Sequence, residues 1–159
     1  MHDYLNLFRA LIETYMEAEI AATAGASTDY SELDVEYKLV YEMEGFDPYA
    51  MNKTWLIFNM LPYTPKVVDV GYYAVRRDIP VEVAVKGIDH AFVLWLLDRL
   101  EHILIVDERG QQPFGNDAYG DPKIDIIQLG EIAWGYEERS KMYFPVYRFA
   151  LIKYYDQIR

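Results

Sequence analysis

At 159 residues, just over half of them apolar, the chain is long enough to bury a sizeable core and too apolar for disorder to be the default. Fifteen Lys and Arg stand against 26 Asp and Glu, a formal charge of −11, which repels phosphate backbones and argues against a groove-reading nucleic-acid binder. There is no cysteine, which removes disulfides, thiolate catalysis and zinc–sulfur sites together.

The chain opens on an amphipathic pattern over residues 3–23. Leu5, Phe8, Leu11, Ile12, Tyr15, Met16 and Ile20 recur at helical spacing, and Gly25 offers the left-handed residue that ends a helix. No basic region followed by an apolar run reads as a signal peptide, and no segment is long enough to cross a bilayer. The expectation is a soluble protein of the cell interior.

From Leu33 to Glu44 the residues alternate. Leu33, Val35, Tyr37, Leu39, Tyr41 and Met43 fall on one side, and Glu32, Asp34, Glu36, Lys38, Glu42 and Glu44 on the other, with Val40 the exception. This predicts a strand with one buried and one wet face. The acidic face is solvated in a monomer, but in a ring it can point into a central channel. Thr54–Leu61 is nearly continuously apolar and predicts a strand covered on both faces. Lys66–Val75 predicts another, and Ile79–Val85 a further one, in which Pro80 demands a sheet edge or a bulge because it lacks a ladder donor.

Asp89–Val106 is the organising stretch. Asp89 is placed to cap a helix, and Phe92, Val93, Leu96, Leu97, Leu100, Ile103 and Leu104 form its apolar stripe, widened by Trp95. Asp107–Lys123 is rich in turn residues, and loops of that length are commonly functional. Phe114 and Tyr119 ride on it, either docking into a neighbour or tucking back onto their own core. Ile124–Trp134 and Met142–Tyr155 predict two last strands joined through 135–141. The whole predicts one α+β domain over residues 1–159: a mixed or antiparallel sheet of about five or six strands, with an N-terminal and a central helix packed on it.

No catalytic signature is present. The three histidines have no metal-ligand spacing, and no nucleophile elbow, Walker loop or dinucleotide fingerprint occurs. Asp117, Asp121 and Asp125 do not follow a calcium-loop pattern, and Glu131, Glu137 and Glu138 read as solvated acids. The residues imply no cofactor, no metal and no enzyme activity. Arg76 and Arg77 form a basic island, suited to pairing with acids of a neighbouring subunit. The 15 tyrosines, as a set, point the same way, since a ring with a polar tip suits contact surfaces.

The order of elements, Tyr4–Ala22, Val35–Val85, Asp89–Leu104 and Ile124–Tyr155, resembles that of phage tail terminator proteins. The resemblance is one of layout, covers nearly the whole chain and carries over no individual residue. It implies a homo-oligomeric ring, a hexamer, at the end of the tail tube and joined to the neck. Tail tube and neck proteins are the implied partners, and DNA passes an acidic lumen without specific binding. The implied location is the virion tail or neck, assembled in the host cytoplasm. Two other classes stay open: an acidic DNA mimic that inhibits a nucleic-acid-binding enzyme, and a small enzyme or ligand-binding domain.

Overall fold

A computed structural model describes residues 4–50, 52–63, 66–69, 74–105 and 126–156. Helix α1 (Tyr4–Ala22) leads into strand β1 (Val35–Leu39), and a short 3-10 turn (Val40–Met43) follows. Next come β2 (Thr54–Met60), β3 (Lys66–Asp69), β4 (Ala74–Lys86), helix α2 (His90–Ile105), β5 (Ile126–Glu137) and β6 (Met142–Asp156). The strands form one mixed sheet in the order β1-β2-β4-β6-β5, with β3 added to β4. Among the described residues only the β1–β2 pair is parallel. The α+β class and the two packed helices are as expected, and of the two sheets expected, mixed or antiparallel, the mixed one is found.

Both helices lie on one face. α1 buries Phe8, Ile12, Met16 and Ile20, and Phe8 meets Phe58 of β2 and Phe149 of β6 at ring separations of 5.7 and 4.8 Å. Tyr15 is exposed and does not belong to the stripe. Gly25, at φ +77°, follows the frayed end of α1 as expected of a C-terminal cap. α2 begins under the Asp89 cap: the carboxylate accepts from the Phe92 N–H at 3.2 Å, and the Asp89 carbonyl from the Val93 N–H at 3.0 Å. Its Trp95 is half-buried and stacks with Phe92, while Tyr30, from the loop after α1, packs on both rings. Facing the helices from the sheet are Tyr37, Leu39, Leu56, Val81, Val83, Tyr147 and Leu151, all buried.

Two expectations are corrected. The strand predicted over 33–44 stops at Leu39, and Val40–Met43 turns. Glu42 explains the break. Its Oε1 accepts from the Leu39 N–H at 2.9 Å and from Arg9 of α1 at 2.8 Å, so a carboxylate satisfies the donor that another strand residue would have engaged. The strand predicted over 66–75 is likewise two strands. β3 and the start of β4 pair antiparallel, Lys66 opposite Arg76 and Val67 opposite Val75, so the chain reverses between them. β4 then runs unbroken through Pro80. On that side of β4, β2 reaches only Val81 and β3 only Arg76, so Pro80 falls in a local gap. Its carbonyl still accepts from the Leu61 N–H at 2.9 Å, and its missing donor interrupts nothing further.

Candidate functional site

The second face of the sheet carries no helix among the described residues. Strand alternation sends Trp55, Ile57 and Asn59 of β2, Glu82, Ala84 and Lys86 of β4, and Val146 and Arg148 of β6 to this side. Ile57, Ala84 and Val146 make the floor of a groove of about 370 Å³. Val40 and Met43 of the 3-10 turn stand on one side of it, Phe144 and Gly135 on the other. A Cβ at Gly135 would run into the tip of the Phe144 ring, so any other residue there has to displace that ring. The crossover from β1 to β2 covers part of this face. Trp55 donates its indole N–H to the Pro48 carbonyl at 3.1 Å, and Ser140 of the β5–β6 turn lies 3.2 Å from Asp47. The strand over Thr54–Met60 is thereby covered on both sides along Thr54–Phe58, as its continuous apolar run predicts.

Ion pairs frame the groove. Glu82 accepts from Asn59 at 3.2 Å and from Arg148 at 3.1 Å, and Arg148 also reaches Glu131 at 3.2 Å. Those two carboxylates hold the Arg148 guanidinium even more firmly protonated than usual. Lys86 donates to Glu137 at 2.7 Å, with its ammonium 4.1 Å from the Phe144 ring centre. Tyr49, in the crossover, has its phenol pushed up to about 12, first by burial and then by Glu137 and Asp47. Every charged side chain named here faces an opposite charge, so the groove offers shape and framed apolar surface rather than an activated nucleophile or base. Among the described residues no group of three His, Asp or Glu is placed to hold a metal ion.

The structure divides the acidic set read from the sequence. Glu32, Asp34 and Glu44 are exposed, with Asp34 3.5 Å from Lys53. Glu36 accepts from Lys53 at 2.9 Å, and this pairing raises the Lys53 pKa. Glu42 turns the other way, to Arg9 of α1. The set is therefore not one continuous wall within a single chain. Arg76 is engaged within its own strand, donating to both oxygens of Asp78 at 2.5 and 3.0 Å, and Arg77 is half-buried beside it. Phe114 and Tyr119, with the acids at 117, 121 and 125, lie outside the described residues. Glu131 and Glu137, read as solvated acids, are the partners of Arg148 and Lys86.

A second surface went unnoticed in the sequence. β5 is an end strand of the sheet, and on its helix-side face Ile132, Trp134 and Tyr136 stand exposed. Tyr143, opposite Tyr136 on β6, is 67% exposed and packs against it with tilted rings 4.8 Å apart. His90 at the start of α2 lies 6.5 Å from Trp134, ring to ring. Ile132 and Trp134 were legible as strand, but the strand predicted to end at Trp134 runs on to Glu137 and takes Tyr136 out of the expected hairpin loop, and which strand ends the sheet was not legible. Set against known proteins, the chain matches no family model and no curated protein in sequence.

Proposed function

We propose that the chain is a structural subunit of a phage tail, tail terminator-like, which forms a ring at the end of the tail tube and joins it to the neck. The observation that carries this reading is the row of large exposed side chains on the end strand, Ile132, Trp134 and Tyr136, extended by Tyr143 of the neighbouring β6. Trp and Tyr dominate the energetics of protein contacts, and an uncovered apolar edge on a free subunit marks a place for another chain. The layout of helix, strands, helix and closing hairpin and the charge of −11 agree with it. Glu32, Asp34 and Glu44 are the exposed acids available to face a lumen and let DNA slide past. The DNA-mimic alternative has less support, because Glu36, Glu42, Glu82 and Glu137 are engaged by cations of the same chain.

Mass photometry and negative-stain imaging test the reading, with the purified chain alone and mixed with tail tube protein. Ring-sized particles with a central hole are expected. Monomer alone under both conditions would overturn it.

A further inference from the structure

Resting on the reading of the β5 row as a place for another chain, we infer what kind of chain it takes. It is an extended segment of a different protein, apolar through its middle and basic at one end, which adds to the sheet beside β5. Among the described residues β6 is the one strand neighbour of β5, so the outer edge of β5 has no ladder partner there. The register against β6 shifts between Leu129 and Ile132, a bulge that bends the strand. The regular part of the free edge is therefore Ile132–Glu137, and a docked strand is no longer than that run.

Both faces of this edge are unfinished. On the helix side stand the exposed Ile132, Trp134 and Tyr136. On the groove side one row of residues crosses the sheet in register: Ile57, Ala84, Val146 and Ala133. The turn after β1 brings Val40 and Met43 to the β2 end of that row. At the β5 end the row stops at Ala133, whose methyl group leaves the groove open toward the sheet edge, while Phe144 covers Gly135 beside it. Only a chain in β-geometry serves both faces, because its successive residues point to opposite sides. A residue opposite Ala133 continues the row and sends its side chain into the groove mouth, and the residues on either side of it meet Ile132 and Trp134. A helix laid on the ring row would cover one face and leave the edge amides bare. Backbone bonds then supply affinity and the groove mouth supplies selectivity.

Charge chooses among strands. Arg148 serves both Glu82 and Glu131, so an acid is left over where the free run begins, and Glu131 is 73% exposed. At the other end Arg139 turns to Asp47 and Lys86 to Glu137, and the exposed Glu138 and Lys141 offset each other. The excess of acid therefore lies at Glu131 and calls for Lys or Arg there. In the antiparallel arrangement, the more stable one, that basic residue is C-terminal to the apolar run. A second copy is the poorer occupant, since two-fold pairing about Trp134 sets Glu131 against Glu137.

The test is fluorescence anisotropy with a labelled synthetic peptide of alternating Val and Leu, ending in Lys and amidated. Saturable binding to the wild-type chain is expected. Replacing the Lys by Glu should weaken it about fivefold, and N-methylation of alternate backbone amides, which removes the ladder donors, should abolish it. Trp134→Asp and Ala133→Phe, which spoil one face each, should weaken it about tenfold, with folding checked by circular dichroism. Equal binding of the N-methylated or Glu-ended peptide by wild type, or of the original peptide by either folded variant, overturns the inference. If wild type forms rings with tube protein yet takes no peptide, the inference falls and the ring reading stands. If it takes the peptide but stays monomeric alone and with tube protein, the ring reading falls and the strand site stands.

Discussion

The two faces of this sheet are built from the same strands, yet they are held by different forces. The helix-covered face is sealed by interlocking rings and branched aliphatics, with Phe8 lodged between Phe58 and Phe149. The other face has a small apolar floor bounded by Glu82–Arg148 and Lys86–Glu137 pairs. Loss of one group on the first face leaves a cavity that the neighbours cannot fill. Loss of one ion on the second is eased by water, which reaches much of that surface. Fold stability should therefore reside on the covered face, and surface recognition on the open face and the uncovered edge.

Five changes break or sharpen that division. Phe8→Ala, fully buried on the covered face, should cost roughly 3–5 kcal/mol in chemical denaturation. Trp134→Ala, 53% exposed on the edge, should change monomer stability by less than about 0.5 kcal/mol while weakening assembly. An equal loss from both would erase the distinction between core and contact surface. Gly135→Val forces the Phe144 ring off its seat and should cost roughly 1–3 kcal/mol, the largest effect expected on the open side. Asp89→Ala removes the α2 cap and should cost about 1 kcal/mol, visible as earlier thermal melting. Arg148→Ala, part-exposed between two carboxylates, should cost less than about 1 kcal/mol, and less again at high salt.

Alkaline pH probes both faces at once. Tyr37, under α1, and Tyr49, in the crossover, both have raised phenol pKa values, chiefly from burial. A phenol raised in the folded state is the neutral form stabilised by folding. Its contribution is whole below the ordinary value of 10 and, for Tyr49, drains away as pH rises through about 12. Denaturation midpoints should therefore fall above pH 10, and the fall should be shallower in Tyr49→Phe and in Tyr37→Phe. An unchanged alkaline slope in both variants would mean that these phenols are hydrated in solution.

Periodicity located α1, α2 and the last two strands, whose apolar residues recur with a 3.6- or 2-residue rhythm, and the length of its continuous apolar run located β2. The Asp89 cap and the Gly25 helix end were equally legible, being chemistry within four residues of chain. The acidic stretch was misjudged for the opposite reason. Its alternation continues to Glu44, but Glu42 answers to Arg9, 33 residues earlier, and local pattern carries no record of such a partner. The reversal between β3 and β4 and the tolerance of Pro80 in a mid-sheet strand also depend on which neighbour lies alongside. So does the exposure of Trp134. Its strand looks like any half-buried strand until β6 is seen to pair with β4, which leaves β5 at the end of the sheet. The residue types and their rhythm determined that helices and strands would form here and which side of each would seek cover. Only the tertiary structure decided which sides found it, because burial depends on contacts between residues far apart in the chain.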